Sequence, residues 1–404
     1  MKILVANLGS TSLKYRLFEF EGERTELLHR GGFERVSDYA SAIDDCLKDL
    51  GEAGVLVSEE DLAAVAFKTI MAKDRSGCVL VDDDVLAAME ACNYIAPAHN
   101  PPYVEGIRIF SRKMPGTPMI ALFETAFYQW IPEATRRYAV PEDWYELGVR
   151  RFGFHGASHK FIAERSAELL ERLDVAERAK SLYSGNGPAP PPSGAPPLRV
   201  ISCHLGGSSS VTGLLDGVAI GNSFGTSPQS GLPQNNRSGD LDPFALLHVM
   251  REKNLSVEEA ERVLSTESGL NALSGGYNDL RDIKEKADAG DACAATAIDV
   301  YIAQIRHWIG AFHLSLNGID ALVFTAGIGE NNPWLREKVC AGLDQLGIAL
   351  DPPANEAAIA TEKVISTGDS RVTVIVIPTN EEAVVAREAR RLLVRENLPA
   401  GRKN

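Results

Sequence analysis

The feature that most constrains this chain is an internal echo. Ile3-Leu-Val-Ala-Asn-Leu-Gly-Ser-Thr-Ser-Leu13 reads as a strand, a Gly/Ser turn and a return into Lys14–Phe18. About 197 residues further on, Val200-Ile-Ser-Cys-His-Leu-Gly-Gly-Ser-Ser-Ser-Val211 repeats the pattern, with Thr212–Leu215 as the returning strand. Hairpin tips favour glycine and hydroxyl residues for their own reasons, so coincidence is one reading of the pair. The other is a duplicated fold with a ligand held between the copies. Elsewhere strand-like and helix-like segments alternate, as in α/β proteins. Ile3–Ala6, Val200–Cys203, Ala321–Thr325 and Val372–Ile377 are short, mostly apolar runs suited to buried strands. Ile298, Ile302, Ile305, Ile309, Phe312 and Leu316 recur at helical spacing and predict one long amphipathic helix that stops at Gly318.

A length of 404 residues suits two domains. The segment Ser184–Pro197 holds six prolines and three glycines and predicts an exposed loop. We therefore expect an N-terminal domain over 1–150 and a C-terminal domain over 151–404 that carries the loop 184–197. The C-terminal helix is a candidate to return to the first domain. With 41 Lys+Arg against 55 Asp+Glu the net charge is −14, which argues against nucleic acid or an anionic membrane surface as the main partner. Any phosphate must then be held locally. Met1-Lys2 runs straight into a strand, and no apolar stretch approaches the ~18–20 residues that span a bilayer. The six cysteines show no C-x-x-C and read as reduced, mostly buried side chains of a cytoplasmic protein.

Several short motifs could carry chemistry. Asn7, Gly9, Ser10, Thr11, Ser12 and Lys14 sit at or beside the first tip, where glycine admits an anion and hydroxyls donate to it. Their spacing excludes a Walker-type loop. Ser202–Ser210 offers a second cradle with His204 at its edge. Thr325-Ala-Gly-Ile-Gly-Glu-Asn-Asn332 could pack a flat nucleotide against backbone, or be an ordinary strand-to-helix turn capped by Asn331 or Asn332. Arg150–His159 gathers cations and two histidines, better suited to an anionic centre than to a metal. Arg237 reads as a loop guanidinium, with a helix cap as the alternative for its neighbourhood. Glu381, in Pro378-Thr-Asn-Glu-Glu382, follows a strand and suits Mg²⁺ held through water and phosphate, or simply begins a helix.

Taken in order, these runs resemble the acetate kinase family of the actin-like superfamily, which also holds sugar kinases, Hsp70 and actin. The matching stretches include Asn7–Lys14, Ile95–Pro101, Gly153–His159, Ile201–Gly206, Arg237–Pro243, Asp279–Ile283, Phe324–Asn331 and Pro378–Glu382. The resemblance implies two ribonuclease-H-like domains around a nucleotide cleft, ATP or ADP as co-substrate, Mg²⁺, and a small carboxylic acid or acyl phosphate as partner. It also implies a homodimer. Carried over position by position, Asn7 and Glu381 would support Mg²⁺, while Ser10, Ser12 and Lys14 would face phosphates. The run His204, Leu205, Gly206, Gly207 and Ser208 would hold the nucleotide phosphates. Asp279, Leu280 and Arg281 with Gly327, Ile328, Gly329, Glu330 and Asn331 would surround adenosine. His155 and Arg237 would stabilise the phosphoryl group in flight.

Departures gather around the acceptor. The family's His-Arg-Val-Val-His-Gly-Gly stands here as Phe67-Lys-Thr-Ile-Met-Ala-Lys73, so the carboxylate-clamping arginine is Lys68, a point charge without the bidentate fork. Ile70 replaces the usual valine, Glu124 the catalytic Asp, Tyr128 a His, and Gly207-Ser208 an Asn-Gly. The expected activity is ATP-dependent phosphorylation of acetate or a related short acid, and the reverse. A kinase for propionate, butyrate or a hydroxy acid is one alternative, and a nucleotide-binding homologue without transfer another.

Overall fold

The computed structural model describes residues 1–398 apart from Ser10, Glu23, Ala98 and Asn186. Among them, twelve strands form two six-stranded sheets. The first comprises β1 (Lys2–Gly9), β2 (Ser12–Glu21), β3 (Arg24–Glu34), β4 (Leu62–Thr69), β5 (Cys78–Leu80) and β6 (Met119–Phe123), in spatial order β3-β2-β1-β4-β6-β5. The second comprises β7 (Arg199–Leu205), β8 (Ser209–Leu215), β9 (Val218–Asn222), β10 (Ala321–Thr325), β11 (Lys363–Val364) and β12 (Thr373–Val376). Its order, taken from the β9 edge, is β9-β8-β7-β10-β12-β11, which matches the first sheet position for position. Directions match too: an antiparallel meander, two parallel neighbours, then an antiparallel edge strand. The paired hairpins are a duplication, and coincidence is excluded by the whole topology.

Parallel strands are covered on both faces, so they must be apolar throughout. Ile3, Leu4, Val5 and Ala6 of β1 are fully buried, as are all five residues of β10. Helix Ala292–Ser315 buries Ile298, Ile302, Ile305, Ile309 and Phe312 against the second sheet's core. It ends where expected. Asn317 and Gly318 take positive φ angles of 56° and 94°, and the Gly318 N–H reaches back to the His313 carbonyl at 2.9 Å.

The chain divides into two compact units: Met1–Gln129 with Leu182–Gly187 and the segment from Asn380 onward, and Trp130–Ser181 with Pro188–Thr379. The first break thus falls at Gln129, ahead of the expected 150. The intervening residues bond to the second unit instead, Thr135 Oγ1 to the Ile220 carbonyl at 3.0 Å and the Phe152 N–H to the Gly225 carbonyl at 3.0 Å. Helix Glu381–Arg395 belongs to the first unit because Val384, Val385, Ala389, Leu392 and Leu393 bury one stripe against its sheet. Residues 184–197 form no helix or strand where described; Arg178 and Arg172 pin them by bonds of 2.7 Å to the Ala189 and Pro196 carbonyls. No helix among the described residues is long and apolar enough to cross a membrane.

Arg336 links this scaffold to the functional loops. Fully buried, it donates to the carbonyls of Gly329, Glu330, Asn355 and Ala358 at 2.8–3.0 Å and to Asn355 Oδ1 at 2.8 Å. Removing the guanidinium deletes five hydrogen bonds from a fully buried position. Arg336→Met is therefore expected to destabilise the protein by about 3–5 kcal/mol, read from the urea midpoint at constant slope.

Candidate functional site

In the first unit the sequence-flagged side chains collect at the C-terminal ends of parallel strands, where α/β sheets present their loops. Lys68 lies near the end of β4, Glu124 directly follows β6, and Glu381 opens helix Glu381–Arg395. The Lys68 ammonium donates to Glu381 Oε2 at 2.6 Å and lies 3.4 Å from Glu124 Oε1. Burial opposes its charge, but Glu381 and then Glu124 outweigh that and hold its pKa well above the ordinary lysine value. Asn7 Oδ1 accepts from Tyr103 Oη at 2.5 Å. Ile70 is half-buried just past β4, and Tyr128 is buried edge-on to Phe127.

The structure bears directly on one of the two readings of Pro378–Glu382. The Asn380 side chain caps helix Glu381–Arg395 through the Ala383 N–H at 3.3 Å, so Pro378–Glu382 begins a helix while carrying its carboxylate into the cluster. The negative charge of Glu381 in a helix first turn is also electrostatically favoured. Lys14 sits on β2, largely exposed and 3.1 Å from Glu34, and lines a groove of about 400 Å³ with Arg16 and Arg30. Ser12 pairs with Gly9 at the tip, where a Cβ on Gly9 would lie 2.6 Å from Ser12 Oγ. Ser10 lies outside the described residues.

The second unit builds its cluster around the other tip. Gly206, Gly207 and Ser208 join β7 to β8. His204, at the end of β7, stacks on His155 with centroids 4.0 Å apart and planes at 24°. His155 stands before helix Gly156–Leu169 in the left-handed region at φ 59°, and its Nδ1 lies 2.8 Å from Ser210 Oγ. His159 reaches Ser202 and Ser210 at 2.8 and 2.9 Å. Burial, and next His204, push its pKa well below the usual value. Arg237 is a half-buried loop residue bonded to the Pro228 carbonyl and Gln234 Oε1 at 3.3 and 3.2 Å; desolvation lowers its pKa. Its loop touches the glycine tip, since the Asn235 N–H donates to the Gly207 carbonyl at 3.2 Å.

Around the same tip, Thr325 pairs with His204, and helix Ala326–Asn331 begins immediately after β10. Thr325 holds the N-cap position, and Asn332 that of the next helix, Pro333–Cys340, without a side-chain cap bond. Glu330 accepts from the Thr379 N–H at 3.1 Å, tying this helix to the segment after β12. Asp279 caps helix Leu280–Asp288 and pairs with Arg281 at 2.6 Å on the surface. Lys284 of that helix reaches over Trp334 at 5.3 Å, next to the Gly327–Asn331 turn. Among the described residues, no group of three or more His, Cys, Asp or Glu forms a metal site.

Some supporting residues carry no motif. Gly269, at φ 69°, lets its backbone lie against the Arg237 loop; a Cβ there would sit 2.1 Å from the Gln234 carbonyl oxygen and 2.7 Å from that of Arg237. Tyr103 reaches Asn7 through a bond that crosses between elements, so no local pattern announces it.

Two six-stranded sheets of matching topology, each with a glycine hairpin beside its chemistry-bearing loops, define the actin-like ATPase fold class. The chain belongs to the acetokinase family, matching it over residues 31–189 and 194–387. It is 37% identical over 421 residues to the acetate kinase of Carboxydothermus hydrogenoformans, covering 98% of this chain and 100% of that one. A Porphyromonas gingivalis acetate kinase structure superposes with TM-score 0.83 and 32% identity, covering 97% and 99% of the two chains. A Francisella tularensis propionate kinase structure gives 0.80 and 31%, covering 96% and 98%.

The buried, neutral His159 has a stability consequence. Its folded pKa lies below the unfolded value of about 6.5, so the unfolded chain binds the proton first as pH falls. Stability should be fully present above that value and decline below it. In His159→Gln this component of the slope is expected to vanish, as measured by urea midpoints between about pH 7.5 and 5.

Proposed function

We propose that this protein transfers the γ-phosphoryl group of ATP to acetate or another short carboxylic acid, and runs the reverse transfer from acyl phosphate to ADP. The observation that carries the reading is the second unit's donor set: stacked His155 and His204 and the half-buried Arg237 loop flank one glycine tip. Phosphoryl transfer needs little covalent assistance; it needs positioning and compensation of charge spread over the equatorial oxygens. Arg237 supplies a permanent cation and His155 a directional donor. Gly206, Gly207 and Ser208 admit the nucleotide phosphates, and Asp279–Arg281 with Gly327–Asn331 take the adenosine.

First-unit residues serve the acceptor. Lys68 compensates the incoming carboxylate while its bonds to Glu381 and Glu124 fix its position. Glu124 orients the attacking group. Asn7 and Glu381 offer hard oxygen donors, and Asn7 Oδ1 keeps a second lone pair beyond the one Tyr103 uses, which fits Mg²⁺ held largely through water and phosphate. When bound, the ion neutralises phosphate charge. Lys14 and Ser12 add a cation and a hydroxyl near the first tip. A homodimer is supported by helix Pro243–Lys253, which buries none of its residues and exposes Phe244 and Leu247. A cytoplasmic location is part of the same reading and agrees with six free cysteines, four of them buried.

Coupled detection of ADP over C2–C4 acids tests the reaction, and silence with every acid would overturn it. Arg237→Ala is expected to lower kcat by about 10²–10³-fold. Ile70 adds one methylene to the valine of the family pattern, which narrows the acceptor pocket toward two-carbon acids. Ile70→Val should raise the propionate-to-acetate ratio of kcat/KM by roughly 10-fold, the scale of one methylene in a pocket. Restoring the fork with Lys68→Arg should change KM for the acid more than KM for ATP.

A further inference from the structure

Resting on the phosphoryl-transfer reading, we infer that two hydroxyl chains hold His155 and His204 as the tautomer with hydrogen on Nε2, and that His159, Ser202 and Ser210 are positioning residues for His155. The first chain is continuous. Ser202 Oγ lies 2.8 Å from His159 Nδ1, His159 Nε2 lies 2.9 Å from Ser210 Oγ, and Ser210 Oγ lies 2.8 Å from His155 Nδ1. Each hydroxyl carries one proton and each neutral imidazole one N–H, so the chain must run in a single direction from end to end. Running outward, Ser202 donates to His159 Nδ1, His159 Nε2–H donates to Ser210, and Ser210 donates to His155 Nδ1. His155 is then left with its hydrogen on Nε2. The opposite direction would leave a bare lone pair there, which repels a phosphoryl oxygen instead of donating to it.

Burial supports the same arrangement. His159 is fully buried and disfavours a second proton, and a doubly protonated ring could not relay a direction because both nitrogens would donate. The second chain is shorter. Thr379 Oγ1 donates to Ser158 Oγ at 3.0 Å, which turns the Ser158 proton toward His204 Nδ1 at 2.8 Å. His204 then carries hydrogen on Nε2, and that atom lies 3.9 Å from the place a Cβ on Gly206 would occupy, beside the glycine tip. Stacking at 4.0 Å keeps the two rings from turning independently. No proton moves along either chain; the chains set which edge of each ring donates. The arrangement resembles the outer partners of metal-bound histidines, which fix tautomer through the nitrogen that does not act.

Two readouts test this on the full chain. Long-range ¹H–¹⁵N spectra of the labelled protein, with ring signals assigned through His155→Asn, His159→Asn and His204→Asn, should show protonated Nε2 and unprotonated Nδ1 at all three positions. Hydrogen on Nδ1 of His155 would overturn the inference, and this arm stands even if no acid is phosphorylated. Kinetically, His159→Leu should lower kcat by about 10–100-fold with KM for ATP little changed. His159→Gln keeps an N–H able to reach Ser210 and should recover most of that loss. Equal kcat losses for Leu and Gln, or an effect confined to KM, would remove the positioning role. Ser210→Ala, a smaller change checked for folding by thermal melting, should match His159→Leu; wild-type kcat in it would equally reject the chain.

Discussion

Parallel pairing at the centre of each sheet is the constraint on which the rest depends. Because β1, β4 and β6 run the same way, Asn7, Lys68 and Glu124 come off neighbouring strands at one edge. The same holds for β7, β10 and β12, which bring His204, the turn after Thr325 and Thr379 together. Such strands are mostly apolar, and their polar residues gather toward the ends, with Ser202 in mid-β7 held by its bond to His159. Core formation and site formation are therefore one event. Arg336 shows how tightly they are joined, since a single buried guanidinium satisfies carbonyls of both a functional turn and the scaffold behind it.

Charge is handled differently in the two units. In the first, a buried ammonium sits against two carboxylates, so its charge is paired before any ligand enters. Removing Lys68 would take that cation from two buried carboxylates, which makes it a structural residue as well as a proposed chemical one. In the second, stacked rings and hydroxyls stand at the glycine tip with the Arg237 loop against it. On the proposed reading such donors would hold an anion without drawing one in at long range. That suits a chain of net charge −14.

Much of the architecture was legible from residue order. The echo of Ile3–Leu13 in Val200–Val211 predicts the duplication, and the Ile298–Leu316 stripe predicts the long helix and its glycine stop. Candidate residues with a local signature were legible too, and the structure brings several together: the second glycine tip, the Gly153–His159 run and the Arg237 loop. The boundary at Gln129 was not, because residues 130–152 choose their unit through bonds to the edge of a sheet whose strands lie far ahead in the chain. Tyr103 and Gly269 were invisible for the same reason, each meeting a partner from another element.

Sequence alone determined the repeat, the buried strands, the glycine turns and the family, since these rest on periodicity, residue size and short-range backbone freedom. Only the tertiary structure decided that Lys68 is bound by Glu381 and Glu124, that His155 stacks on His204, and that His159 stands behind them with two serines. Those contacts join residues separated by tens to hundreds of positions, and hydrogen bonds of about 3 Å exist only once packing has fixed both ends.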